Sequence, residues 1–171
     1  TSGVCVPNAD FIAADRRGLA ICDATSAAFA MPLDWARLDV VTFSFQKALG
    51  GEAGLGVAAL SPRAVERLDR YESPRPVPKV LRLRDDKGFD RALATGSMIN
   101  TFSVWTLEDW IDALEWAKGV GGLSALIART QANAAALDAW VERTPWIDWL
   151  AEDPATRSTT SVCLKFVDPR V

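Results

Sequence analysis

Residues 39–56, Asp39-Val40-Val41-Thr42-Phe43-Ser44-Phe45-Gln46-Lys47-Ala48-Leu49-Gly50-Gly51-Glu52-Ala53-Gly54-Leu55-Gly56, join an apolar, strand-like run to a glycine-rich turn, with one lysine at the junction. Lysine is strongly hydrated and rarely sits among apolar neighbours unless something uses its amine. An apolar surround disfavours the ammonium and frees the amine as a nucleophile, as a Schiff-base lysine requires. The glycines allow backbone to approach whatever the lysine holds. The lysine precedes the glycines, which is the reverse of a phosphate-cradling P-loop. On spacing alone, a lysine snorkelling from a strand end reads equally well.

Working upstream, Leu19-Ala20-Ile21-Cys22-Asp23 is a short apolar run that ends on a carboxylate and enters small residues, Ala24-Thr25-Ser26-Ala27. The interval from Asp23 to Lys47 leaves room for a crossover and a second strand. A carboxylate and a lysine at the ends of neighbouring strands suit pyridoxal phosphate. The lysine holds the aldehyde carbon as an imine, and the aspartate keeps the pyridine nitrogen protonated so that the ring accepts electrons. An Asp/Lys pair at this separation also occurs by chance in many α/β proteins.

Ile21-Cys22-Asp23-Ala24-Thr25-Ser26-Ala27-Ala28, Asp39 to Lys47, Ser61-Pro62-Arg63-Ala64-Val65-Glu66-Arg67-Leu68 and Ile99-Asn100-Thr101 together resemble the phosphoserine aminotransferase family, in order and in spacing. The resemblance covers nearly the whole chain. It implies an α/β fold: the three-layer large domain of fold-type I pyridoxal-phosphate transferases, in part, with the first strand of an α+β small domain at the C-terminal end. The family's enzymes are about twice this long, so the chain is expected to be a central fragment.

Composition is that of an ordinary globular protein, 49% hydrophobic and 24% charged, and 171 residues can bury a sizeable core. A net charge of −3 leaves no electrostatic footprint for nucleic acid or an anionic membrane. No apolar run approaches the roughly 18 residues of a membrane span. Cys5, Cys22 and Cys163 are odd in number, far apart and set in apolar stretches, which fits small buried hydrophobes in a reducing, cytoplasmic setting. Histidine is absent, which excludes Ser-His-Asp triads and Cys-His dyads within this chain, and no metal site is expected.

Along the chain, strands are expected at Leu19–Cys22, Asp39–Phe43 and Gly56–Leu60, short and apolar as if helices covered both faces. Asp15-Arg16-Arg17-Gly18 reads as a solvated corner. Ser61-Pro62 reads as an N-cap with proline at the first helical position, opening a helix over Arg63–Tyr71. Three prolines between Ser73 and Lys79 exclude regular structure there, and the mixed charges from Arg82 to Lys87 suit a solvated hairpin or loop. A helix is predicted over Ser103–Lys118, with Val104, Leu107, Ile111 and Leu114 as its apolar stripe. Trp110 borders that stripe and is assigned to core packing, with stacking on a ligand ring as the lesser alternative. Gly119, Gly121 and Gly122 end this helix, and a second, about Leu123–Arg143, stops before Pro145. Ser161–Val167 alternates like a half-buried strand with no partner in the chain. The resulting division is residues 1–122 in the large domain, 123–143 as an interdomain helix and 144–171 as the start of a small domain.

The resemblance assigns roles residue by residue. Lys47 carries the imine and moves the substrate proton. Asp23, buried beside a cation, holds the pyridinium proton. Gln46 touches the cofactor phosphate. Asn100 and Thr101, at a helix start where backbone amides favour anions, reach the phosphate of a neighbouring subunit's cofactor; the alternative is that one of them caps the helix. Ser26 and Thr25 hydrogen-bond around Asp23 or the ring, and Thr1 is a further weak candidate. The sequence departs from the family in having Phe102-Ser103 where proline follows the Asn-Thr pair, and Leu55 where relatives carry histidine.

The implied reaction moves an amino group between L-glutamate and 3-phosphohydroxypyruvate, giving 2-oxoglutarate and O-phospho-L-serine for serine biosynthesis. The implied assembly is a homodimer with a shared site, acting on small molecules, with no nucleic acid or membrane partner. The substrate arginines are expected outside residues 1–171. Two alternatives stand beside this reading. One is another class V enzyme, such as an alanine–glyoxylate aminotransferase; the other is a fragment of the cofactor-binding domain with no activity of its own.

Overall fold

The computed structural model describes residues 2–168 and 170; the candidate Thr1 lies outside them. Three strands, β1 (Ile21–Asp23), β2 (Val40–Phe43) and β3 (Val57–Leu60), form one sheet in the order β1-β2-β3. β1 runs parallel to β2, with Asp23 opposite Thr42, and β3 returns antiparallel, with Val57 opposite Phe43. The segment between β2 and β3 therefore leaves the same end of the sheet at which β1 stops, and it carries Lys47.

Helix α1 (Pro62–Arg70) begins as its sequence dictates. Ser61 Oγ accepts from the Ala64 amide at 3.1 Å, and Pro62 gives up an N–H that has no intrahelical partner anyway. The proline-rich stretch follows, then a 3-10 turn at Lys79–Leu81 and a small hairpin, β4 (Arg84–Asp85) and β5 (Gly88–Phe89). A single helical turn, α2 (Arg91–Ala94), leads to the two long helices, α3 (Val104–Gly119) and α4 (Gly122–Glu142). Strand β6 (Ile147–Trp149), a 3-10 turn at Pro154–Thr156 and strand β7 (Leu164–Phe166) complete the chain. The core gathers Phe45, Leu49, Ala117 and Leu126, with Phe29, Phe43, Val57, Trp110 and Ala113 packed around them.

Four expectations are corrected. First, β7 has a partner: it pairs antiparallel with β6, Asp148 opposite Lys165, so the C-terminal strand belongs to a two-stranded sheet within this chain. Second, helices do not cover both faces at β1, whose Ile21 is 71% exposed at the sheet's edge. Third, α3 turns a different side inward. Thr106 and Ala117 are its buried residues, with Trp110 and Ala113 packed on the core, while Val104, Ile111 and Leu114 are exposed. Small residues let α3 approach its neighbours closely, and the bulky stripe is left outside.

The fourth concerns the Asp15–Gly18 corner, which is not merely solvated. Arg16 Nη2 donates to Asp39 Oδ2 at 2.8 Å and to the Arg37 carbonyl at 2.9 Å. Asp39 is only 4% exposed and also accepts from the Ala20 amide and the Ser61 hydroxyl. One buried carboxylate thus joins the starts of β1 and β2 to the cap of α1. Burial pushes its acidity down, but the Ala20, Arg16 and Ser61 hydrogen bonds and the Arg16 charge outweigh that, so its pKa lies below the ordinary aspartate value.

Candidate functional site

Lys47 is lifted out of the core by its neighbours. Phe45, 5% exposed, and Leu49, 9% exposed, are both buried, and Gln46 and Lys47 stand exposed between them. The Phe45 ring stacks on Trp110, and Phe29 meets Phe43 and Phe45 edge-on at 5.8 Å. The turn beyond the lysine is closed by Gly50 N–H to the Lys47 carbonyl (3.0 Å) and Gly51 N–H to the Phe45 carbonyl (2.9 Å). Gly50 sits at φ +69°, where a side chain is unfavourable. At Gly51 a Cβ would stand 2.9 Å from Asp109 Oδ2. Helix α3 then grips the turn twice: Glu52 N–H donates to Asp109 Oδ2 (2.6 Å), and Trp110 Nε1 donates to the Glu52 carbonyl (2.9 Å). Ser44 Oγ closes the base of the loop on the Leu55 carbonyl. The lysine side chain is exposed, so the apolar surround expected for it is not supplied by these residues.

Asp23 is the last residue of β1. Both hydrogen bonds that it receives, from the Thr25 hydroxyl at 2.7 Å and the Thr25 amide at 3.0 Å, go to Oδ1. Oδ2 has no protein partner among the described residues. The Thr25 hydroxyl, then its amide, hold the pKa below the ordinary value, and a slight desolvation opposes them. The expectation of an acid buried beside a cation is corrected: the carboxylate is exposed and is kept ionised by hydrogen bonds.

Asp23, Thr25, Ser26 and Lys47 line one cleft of about 1350 Å³. Its lining runs along β1 from Ile21 to Asp23 and so includes the carboxyl end of a parallel strand, where α/β sheets characteristically take ligands. The volume is ample for a ring bearing a phosphate. Oδ2 of Asp23 is left to accept from a ring N–H, and Lys47 lines the same cleft. These residues fit pyridoxal phosphate.

A model of the family described as aminotransferase class-V matches residues 1–170. The chain belongs to that family. Among curated class-V relatives, the phosphoserine aminotransferase of Methanosarcina barkeri is 51% identical over 165 residues, covering 96% of this chain and 45% of its own length. The chain thus spans less than half of that relative. A phosphoserine aminotransferase from Cytophaga hutchinsonii superposes with a TM-score of 0.79 at 22% identity, over 97% of this chain and 46% of the other. A pyridoxal-phosphate-bound phosphoserine aminotransferase from Trichomonas vaginalis does so at 0.72 and 19%, over 97% and 42%. These likenesses establish the fold as that of fold-type I, class-V aminotransferases, of which this chain is a part.

Three residues singled out from the sequence are not on the cleft wall of this class-V chain. Gln46 is exposed beside Lys47, and Asn100 and Thr101 are exposed before α3. Neither of the latter caps the helix; Ser103 does, its hydroxyl accepting from the Thr106 amide. Conversely, the cleft has a wall that the sequence reading missed, running from Ala155 to Ser161 and bearing Ser158, Thr159, Thr160 and Ser161. Four consecutive hydroxyl residues ahead of an apolar strand were its visible signal. Among the described residues no His, Cys, Asp and Glu cluster is suited to a metal ion, and no helix is long and apolar enough to cross a membrane.

Proposed function

We propose that these residues are part of a pyridoxal-phosphate-dependent aminotransferase that exchanges an amino group between L-glutamate and 3-phosphohydroxypyruvate, producing O-phospho-L-serine. The observation that carries the reaction class is that Asp23, ending β1, and Lys47, in the loop after β2, line one cleft; the choice of substrates rests on the likeness to phosphoserine aminotransferases alone. When bound, pyridoxal phosphate supplies an aldehyde carbon and a ring that accepts electrons. Lys47 would hold that group through Nζ, and its amine would take the substrate's Cα proton and return it. Asp23 Oδ2 keeps the ring nitrogen protonated, while Thr25 fixes Oδ1. Ser26 belongs to the same wall, and Gln46, exposed beside Lys47 and off that wall, would meet the phosphate only by turning into the cleft.

Asn100 and Thr101 serve a second copy in this reading. Their exposure outside the cleft, next to exposed Met98 and Ile99, suits residues that complete a partner's site in a homodimer. Residues 1–122 then belong to the large domain, 123–143 to the helix leaving it and 144–171 to the small domain, in a cytoplasmic enzyme of serine biosynthesis.

Pyridoxal phosphate added to the protein should produce the visible absorbance of a lysine-bound pyridoxal group. Lys47→Ala should abolish it, and Asp23→Asn should weaken binding. Absorbance unchanged in Lys47→Ala rules the reading out. Amino-group transfer from phosphoserine, compared with alanine and serine, decides between this substrate and an alanine–glyoxylate type. A folded chain that binds no cofactor is the inactive fragment.

A further inference from the structure

We propose that Thr160 is a positioning residue: its hydroxyl holds the Ser26 carbonyl and so sets the turn that aims Asp23 into the cleft. This rests on the reading of Asp23 given above. The turn following Asp23 makes its own bonds to two carbonyls. The Ala27 and Ala28 amides donate to Ala24, and the Ala30 and Met31 amides donate to Ala27. The Ser26 carbonyl is left over, and Thr160 Oγ1 reaches it at 2.9 Å from 134 residues away. One residue before that carbonyl stands Thr25, which grips Asp23 Oδ1 by both hydroxyl and amide. A displacement of Ser26 is therefore passed directly to the acid.

The turn needs holding from outside. Phe29, within it, sits at φ +65°, a left-handed conformation unfavourable for a residue with a side chain. The wall that holds it is itself anchored. Ser158 is buried, its amide donates to the Gly3 carbonyl at 2.9 Å, and its hydroxyl accepts from the Thr160 and Ser161 amides. Cys5 N–H adds a bond to the Thr156 carbonyl at 2.8 Å. Gly3 packs so closely that a Cβ there would stand 2.8 Å from Cys163 Cβ. Thr160 is thus a fixed point, able to impose its position on the Asp23 turn.

Cys22 provides a built-in reporter, since it precedes Asp23 and lines the same cleft. Burial, and then the charge of Asp23, push its thiol pKa up, which lowers the thiolate fraction and slows alkylation. In the cofactor-free protein, Thr160→Val should raise the rate of Cys22 alkylation by iodoacetamide about fivefold, the change expected from losing one net hydrogen bond. The rate is read on the Cys22 peptide by mass spectrometry. The same variant should raise the Asp23 carboxyl pKa measured by NMR, and Thr160→Ser should restore both readings. Thr160→Ala carries the same expectation if the valine variant does not fold. Wild-type alkylation and wild-type Asp23 titration in a folded Val or Ala variant overturn the proposal. If both shift and serine restores them while no variant binds pyridoxal phosphate, the positioning role stands and the cofactor reading fails instead.

Discussion

Phe45 lies flat on Trp110, ring centroids 4.0 Å apart and planes 9° from parallel, so the residue two places before Lys47 is fixed by the middle of α3. The same tryptophan donates Nε1 to the Glu52 carbonyl beyond the glycine turn. One side chain on a helix therefore braces both sides of the lysine.

Removing that brace should be costly. Trp110→Ala is expected to destabilise the fold by about 3 kcal/mol, from lost burial, lost stacking and an orphaned carbonyl. Trp105→Ala is the control, because that ring is 87% exposed; its cost should stay within about 0.5 kcal/mol. Urea unfolding of both variants checks the contrast.

Gly51→Ala tests the fit of the turn against α3. The new methyl would stand 2.9 Å from Asp109 Oδ2, 3.3 Å from Phe45 Cβ and 3.4 Å from Trp110 Cδ1. Asp109 must move off the Glu52 amide, and the expected cost is about 2 kcal/mol. In an Asp109→Ala background the same substitution should cost measurably less, which a double-mutant cycle by denaturation reads directly.

Asp39 should govern the acid limb of stability. Its pKa is lower folded than unfolded, so the unfolded chain binds the proton more tightly. The stabilisation is complete above the unfolded value of about 3.9 and is lost as pH falls through the folded value. Asp39→Asn should cost about 3 kcal/mol at neutral pH, because it leaves the Arg16 charge unbalanced. It should also flatten the fall in melting temperature below about pH 4. A series of melts across pH tests both.

Thr25→Val removes the hydroxyl that contributes most to the low pKa of Asp23. The carboxyl should then titrate closer to its ordinary value, as followed by NMR, and Thr25→Ser should bring it back down. An unchanged Asp23 titration in the valine variant would show that the backbone amide alone suffices.

Much of this arrangement was legible in the sequence because local chemistry wrote it. Ser61-Pro62 starts α1, Gly121 stands between α3 and α4, and the runs ending at Asp23 and Phe43 became adjacent strands. Asp23, Ser26 and Lys47 line one cleft, which the Asp23–Lys47 spacing allowed but did not by itself distinguish from chance. What was not legible depends on partners distant in the chain. Alternation in Ser161–Val167 announced a strand but not that Ile147–Trp149 would pair with it. The charges of Asp15–Gly18 looked solvated because nothing local shows that Arg16 meets Asp39, 23 residues on. On α3, hydrophobicity favoured Ile111 and Leu114, but close approach favoured Thr106 and Ala117. Size outweighed greasiness there.

The bond from the Cys5 thiol to the Arg157 carbonyl closes a loop of 152 residues. Pairings that distant are slow to form, since nearly the whole intervening chain must be ordered first. A ribosome releases residue 5 long before residue 157 exists, so during synthesis the cleft must remain without its far wall. A ligand gripped by both walls can therefore be held only once residues 155–161 have been translated, later than the segments that bear Asp23 and Lys47.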